Sequence, residues 1–114
     1  MSKTKIALIA ILALFLILLL PIVFSFITRE KEKKKAIEIC IEECRNEIIK
    51  GRDLLNSPCL LNPIKELPDW VCDVVNVPRQ NIDNLKENQC SYYYEGKAKH
   101  FVEVSPTCEF VRAH

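Results

Sequence analysis

An uncharged, almost wholly apolar segment of 22 residues, Ile6 to Ile27, constrains this chain more than any other feature. At a rise of about 1.5 Å per residue, it forms a helix of about 33 Å, which is long enough to cross the hydrocarbon core of a bilayer. The roughly 85 residues that follow are too few to bury such a helix inside a soluble protein. The sequence therefore predicts a membrane or export segment over residues 6–27, with membrane lipid as its partner.

Two interpretations of this segment differ in whether it remains part of the mature protein. The length of the apolar run favours an uncleaved, single-pass anchor, and the alternative is a signal peptide that is cleaved near Ser25 to give a secreted protein. More Lys and Arg follow the segment than precede it, which would leave the C-terminal part in the cytoplasm. Six cysteines in the small polar part are instead typical of an oxidising compartment. We expect residues 1–5 to form a cytoplasmic tail and the C-terminal domain to lie outside the cytoplasm.

From residue 28 onwards the apolar side chains recur at helical spacing, which predicts an amphipathic helix over residues 28–51. The predicted core face carries Ile37, Ile41, Cys44 and Ile48. No helix breaker separates this stretch from the apolar segment, so we expect one helix to run into the other. Gly51 is suitably placed to end the helix.

The remaining residues, 52–114, predict a small cysteine-rich domain that packs on this helix. Trp70 to Val75 contains several β-branched residues between two prolines and predicts a short strand, with a two-turn helix capped by Asp69 as the alternative. Cys90 to Tyr94 and Lys97 to Val104 are rich in strand formers and flank a Glu-Gly pair, so we expect a β-hairpin there. The predicted class is α+β, with a β-hairpin or a three-stranded antiparallel sheet. We expect loops or a tail at Asp53 to Pro68, Asn76 to Gln89 and Thr107 to His114.

The six cysteines predict three disulfides that hold this small domain together. Cys40 and Cys44 share one face of the amphipathic helix, so we expect each to bond to a distant segment. A chain that doubles back after Gly51 meets Cys44 before Cys40. This order predicts the pairs Cys44 with Cys59, Cys40 with Cys72 and Cys90 with Cys108.

Charge and motifs exclude several classes of protein. Residues 36–114 carry 9 basic and 13 acidic side chains, a net charge of −4, whereas binding to nucleic acid requires a basic face. Paired metal-ligand spacings such as Cys-x-x-Cys are missing, although Cys40 and Cys44 are spaced so that they could share a zinc ion. We expect no metal, no cofactor and no enzymatic activity.

Four residues are candidate contacts to a partner: Tyr92, Tyr93, Tyr94 and Arg79. Alternation in a strand sends Tyr93 to one face and its neighbours to the other, so at least one tyrosine ring should face solvent. Tyrosine is favoured in recognition surfaces, but cross-strand packing is an alternative role for the three rings. His100, Asp73 and Glu103 form a conceivable acid-base set, but no nucleophile motif accompanies them.

Two longer patterns resemble known groups of proteins. The stretch DWVCDVVNVPRQNIDNLKENQC, together with GKAKHFVEVSPTC, resembles a group of small archaeal exported or membrane-anchored six-cysteine proteins. This resemblance implies an archaeal envelope setting and brings no activity, site or ligand. The long apolar helix leading into an amphipathic one resembles the layout of type IV pilins, but neither Gly nor Glu marks the processing position around Lys5 and Ile6.

These observations lead to two hypotheses about function. The first is a membrane-tethered extracytoplasmic interaction module that presents a disulfide-stabilised surface to a protein or envelope component. The alternative is a structural subunit of a larger membrane or cell-surface assembly, in which the apolar helix packs on other helices through Ala7, Ala10 and Ala13.

Overall fold

The computed structural model describes all residues, 1–114, and begins with one long helix, α1 (Lys3–Ile49). In the first compact unit, Met1–Lys31, the large apolar side chains are exposed. Pro21 lies within the helix. By its length and composition alone, α1 is able to cross a membrane.

The second compact unit, Glu32–His114, begins with the C-terminal part of α1. Its buried face consists of Ala36, Cys40 and Cys44, and Ile37 and Ile41 are partly buried beside it. The prediction that Ile48 belongs to this face is wrong, since its side chain is 45% exposed. Each step of four residues turns the helix by 40° beyond a full turn, so Ile48 has rotated away from the direction of Ala36.

The last turn of α1 ends at a glycine, as the sequence predicts. Gly51 has a φ of +86°, and its N–H donates to the carbonyl of Ile48 over 2.9 Å. The Arg52 N–H donates to the carbonyl of Glu47 over 3.0 Å. This pair of bonds is the Schellman pattern, which satisfies carbonyls that the helix end would otherwise leave free.

The domain is α+β, as predicted, but its sheet is a mixed one of four strands. In spatial order these are β1 (Cys59–Leu61), β2 (Trp70–Val74), β3 (His100–Val104) and β4 (Phe110–Ala113). The outer pairs β1–β2 and β3–β4 are antiparallel, whereas the central pair β2–β3 is parallel. The predicted strand at residues 70–75 is confirmed within one residue.

The predicted hairpin around Glu95 and Gly96 is wrong. Ser91–Tyr94 forms a short helix, α2, and the N–H of Tyr92 donates to the side chain of Asn62 over 2.9 Å. The Glu-Gly turn closes this helical turn, and β3 pairs with β2 instead. Contacts across the domain therefore override the strand preference of the three tyrosines.

The hairpin of this domain lies later in the chain, between β3 and β4. Ser105 and Glu109 are joined by a backbone hydrogen bond of 2.8 Å, and Cys108 adopts a φ of +65° in the turn between them. The region expected to be a tail, residues 107–114, therefore contains β4. Between β2 and α2 the irregular connection that the sequence predicts contains two 3₁₀ helices, Asn81–Asn84 and Lys86–Asn88.

The main core lies between α1 and one face of the sheet, which we call the inner face. Residues that alternate along the strands point to this side: Trp70, Cys72 and Val74 of β2, and Val102 and Val104 of β3. They pack on the buried face of α1 together with Leu54 and Ile64. The side chains between them point to the opposite, outer face.

All six cysteines form disulfides, in the pairs Cys40–Cys72, Cys44–Cys108 and Cys59–Cys90. The predicted bond of Cys40 to Cys72 is confirmed, and the other two predicted pairs are wrong. Cys59 is the register partner of Asp73, so its side chain points to the outer face, away from α1. Cys108, in the β3–β4 turn, is the residue that meets Cys44.

Candidate ligand-binding cavity on the outer face of the sheet

The outer face of the sheet contains a cavity of about 200 Å³. Strand alternation places Val71 and Asp73 of β2 beside Phe101 and Glu103 of β3, and β4 adds Arg112. The connection between β2 and β3 supplies the rest of the lining, which is Arg79, Gln89, Cys90 and Tyr93. Three strands and the crossover connection therefore converge on one concave site.

Glu103 is the buried acidic centre of this cavity, with 5% of its surface exposed. Arg112 donates from Nε to Oε1 over 2.6 Å, and Arg79 donates from Nη1 to Oε2 over 3.2 Å. Charge-assisted hydrogen bonds of this kind compensate for the desolvation of a buried carboxylate. Glu103 therefore holds the two arginines in place at the mouth of the cavity.

Asp73 is the register partner of Glu103 on the neighbouring strand, and it has no ion-pair partner. Its only hydrogen bond comes from the N–H of Val74, over 3.0 Å. Burial, followed by the charge of Glu103, raises the pKa of Asp73 from 3.8 to about 8, although Arg79 partly opposes the rise. At neutral pH the carboxyl group is therefore mostly protonated and able to donate a hydrogen bond.

The connection that carries Arg79 is fixed by a buried carboxylate, Asp83. This side chain accepts hydrogen bonds from the Ser57 hydroxyl, the Asn76 backbone and side chain, and the Gln80 N–H. Burial alone would raise the pKa of Asp83, but these hydrogen bonds outweigh it and hold the pKa below its ordinary value. Arg79 also donates from Nε to the side chain of Asn84 over 2.9 Å. Arg79 is thus held by Asn84 of its own connection and by Glu103 of β3.

Aromatic rings form one wall of the cavity. The Tyr93 and Phe101 rings pack edge to face, with 5.1 Å between their centroids. The guanidinium of Arg112 lies over the same phenylalanine ring, 5.1 Å from its centroid. Stacking of this kind holds a guanidinium flat against an apolar surface and leaves its edge free to bind other groups.

The structure brings two of the four candidate contacts together in this cavity, Arg79 and Tyr93. Tyr92 is partly buried against the small outer-face cluster that includes Val71, and Tyr94 lies outside the cavity with 43% of its surface exposed. The expected alternation along a strand is wrong, because these residues are helical and point in three directions about 100° apart.

The acid-base set of His100, Asp73 and Glu103 is not assembled. His100 lies on the inner face, where its ring stacks on Trp70 at 4.6 Å between centroids. Residues three apart in a strand point to opposite faces, which separates His100 from Glu103. The structure contains no cluster of three or more His, Cys, Asp or Glu side chains arranged to hold a metal ion.

Sequence reasoning missed Phe101 and Arg112, although both belong to the cavity. The period-two pattern of Phe101 with Glu103 is a signal that an apolar and an acidic side chain share one face of a strand. Arg112 is linked to them only through the β3–β4 hairpin, so finding it required the correct pairing of strands.

Comparison of the chain with protein-family models, with curated proteins and with solved structures finds no match. The chemistry of the cavity and the character of α1 are therefore the observations from which a function is inferred.

Proposed function

We propose that this protein is a membrane-tethered, extracytoplasmic binding module. The observation that carries the proposal is α1 itself, which runs without a break from an exposed apolar span into a domain fixed to it through Cys40 and Cys44. An apolar span of this length is stable where lipid covers it. A small domain with three disulfides is typical of an oxidising compartment.

The outer face of the sheet supports a role in binding. The helix covers only the inner face, so the cavity beside Asp73 and Glu103 opens to solvent. Both of its arginines are accessible, with 45% of the Arg79 side chain and 62% of the Arg112 side chain exposed. Disulfides at Cys72 and Cys90 hold β2 and the crossover connection in fixed positions. A preorganised, accessible concavity that combines apolar walls with a few fixed polar groups is the usual form of a recognition site.

Labelling of intact cells tests the membrane topology. A membrane-impermeant amine reagent should modify the exposed lysines from Lys31 to Lys35 and leave Lys3 and Lys5 unmodified until lysis. The reverse pattern would place the domain in the cytoplasm and refute the proposal. Intact mass from native membranes, measured with and without reductant, reports in parallel whether the apolar span is retained and whether three disulfides are present.

Crosslinking in native membranes separates a binding module from an assembly subunit. In a variant whose residues 6–27 are replaced by an unrelated apolar sequence, a module keeps its crosslinked partner because the partner contacts the folded domain. Loss of the partner in this variant would favour a subunit that packs through its apolar helix.

A further inference from the structure

We propose that the outer-face cavity binds a carboxylate group carried on a small apolar body. This inference rests on the proposed function, because it names the ligand class of the same binding module. Two sources share this chemistry, namely a free carboxylic acid and the carboxylate at the end of a peptide chain. Both present two acceptor oxygens on a planar group next to an apolar substituent.

The free hydrogen-bond donors of the cavity match a carboxylate. Arg112 uses only its Nε–H on Glu103, and its Nη1 and Nη2 groups make no hydrogen bond within the chain. Arg79 uses Nε on Asn84 and Nη1 on Glu103, which leaves Nη2 free. An arginine with a free edge is well suited to bind a carboxylate through two parallel hydrogen bonds. Arg112 is therefore expected to be the main anchor of the ligand.

The charges around Asp73 favour an anion over a cation. Arg79 and Arg112 line the same cavity as Asp73, and Glu103 lies beside it on the neighbouring strand. The other polar side chains of the lining are Gln89 and Tyr93, and the carboxylate of Asp83 acts on Asp73 from further away. Glu103 offsets one of the two arginine charges, so a protonated Asp73 leaves the cavity with one net positive charge. An incoming ammonium group would meet two guanidinium groups, both of which are accessible.

The apolar lining of the cavity determines which apolar group of the ligand can lie beside its carboxylate. Phe101, Tyr93 and Val71 line one side, and Cys90 adds the sulfur of its disulfide with Cys59. The volume of about 200 Å³ is below the roughly 300–1,000 Å³ that drug-sized ligands occupy. The cavity therefore accommodates a single ring or one aliphatic side chain.

The protonation of Asp73 makes binding depend on pH. The neutral carboxyl donates to the ligand, whereas the ionised carboxylate repels it. Because the pKa of Asp73 is raised to about 8, we expect affinity for a carboxylate to fall as the pH rises through this value. An amine ligand would show the opposite dependence.

The test uses the full chain, labelled with ¹⁵N, in uncharged detergent micelles. Benzoate is titrated at pH 7 and followed through the Nε–H resonance of Arg112 and the backbone amides of β2 and β3. These resonances distinguish binding in the cavity from partitioning of benzoate into the micelle. Benzamide and benzylamine have a similar body but carry a neutral or positive head, and neither should shift these resonances. N-acetylphenylalanine and its amide provide the same comparison for the C-terminus of a peptide. Tighter binding of benzoate would identify a free carboxylic acid as the ligand, and tighter binding of N-acetylphenylalanine would identify a peptide C-terminus.

Variants inside and outside the cavity test whether binding depends on Arg112. Arg112→Gln removes the two expected hydrogen bonds to the ligand and the one to Glu103. Because 62% of the Arg112 side chain is exposed and water competes for these bonds, benzoate affinity should fall about 10-fold to 100-fold. Arg112→Lys keeps the charge beside Glu103 and should also lose most of the affinity, and the fluorescence of Trp70 shows whether each variant is folded. Arg45→Gln, which alters an exposed helix residue, should bind like the unmodified protein.

Asp73→Asn supplies the decisive pH test. It should bind benzoate about equally at pH 7 and pH 9, whereas the unmodified protein should lose about 10-fold over this range. Equal shifts with benzamide, tighter binding of benzylamine, or unchanged affinity in the two Arg112 variants would overturn the assignment. Loss of carboxylate binding with intact extracytoplasmic topology would refute only this inference, whereas a cytoplasmic domain that binds benzoate would refute only the proposed function.

Discussion

Asp73 should limit the stability of the domain at neutral and alkaline pH, and Asp73→Asn should relieve that limit. Between the ordinary pKa of 3.8 and the raised value of about 8, the folded protein holds a proton that the unfolded chain has released. Stability therefore falls as the pH rises across this interval, at about 1.36 kcal/mol per unit for a single fully effective group. Asparagine carries no charge in either state, and its side-chain oxygen can still accept the hydrogen bond from the Val74 N–H.

The magnitude follows from the size of the shift. A rise of about 4 units corresponds to an upper limit of about 5–6 kcal/mol between the two ends of the interval. The cavity is open to water, which screens the charge, so we expect Asp73→Asn to raise the free energy of unfolding by about 2–4 kcal/mol at pH 8. At pH 4 the two proteins should be nearly equal in stability.

Urea unfolding of the full chain in uncharged micelles, with the disulfides intact, measures this difference. The chain has one tryptophan, Trp70, which is buried in the core on β2 and reports on the sheet through its fluorescence. Asp53→Asn is a matched control, because this aspartate also accepts a backbone N–H, from Leu55 over 2.9 Å, but is exposed and makes no ion pair. A gain for Asp73→Asn that is equal at pH 4 and pH 8, or absent at pH 8, would refute the reasoning.

Two further predictions concern the C-terminal end of α1 and the disulfide that joins α1 to the β3–β4 turn. Gly51→Ala should destabilise the domain by about 1 kcal/mol, because φ is +86° at this position and the added methyl group gains no contact; thermal unfolding measures the change, and no loss of stability would contradict it. Replacing Cys44 and Cys108 together by Ser should cost about 2–5 kcal/mol, and peptide mapping of the unmodified protein without reduction should find these two residues in one fragment. A fragment that joins Cys44 to Cys59 would instead restore the pairing expected from the sequence.

Local patterns were sufficient to predict the long helix α1 and the strand β2. The spacing that placed Cys40 on the core face of α1, the glycine at residue 51 and the β-branched run of β2 each depend on neighbours within a few residues. The disulfide of Cys40 to Cys72 also followed, because both cysteines belong to elements that were correctly identified.

The rest depends on contacts between residues far apart in sequence. Which face of β1 carries Cys59 is decided by its register with Asp73, and a shift of one residue would have turned its thiol toward α1. The cavity could be predicted in part, since Arg79 and Tyr93 were identified as candidate contacts. Asp73 and Glu103 were also named together, as part of an acid-base set with His100. The position of Arg112 beside them and that of His100 on the opposite face could not be predicted, because the parallel pairing of β2 with β3 and the β3–β4 hairpin are set by tertiary packing.

The attachment of α1 to the sheet also determines the order in which this domain can be completed. Cys44 is joined to Cys108, 64 residues further along the chain, so its partner is synthesised long after the helix. Until then Cys44 lacks its native partner and is open to exchange with the other cysteines of the chain. Covalent closure of the domain is therefore one of the last events of its maturation, and agents that isomerise disulfides should act on the chain after synthesis has passed β3.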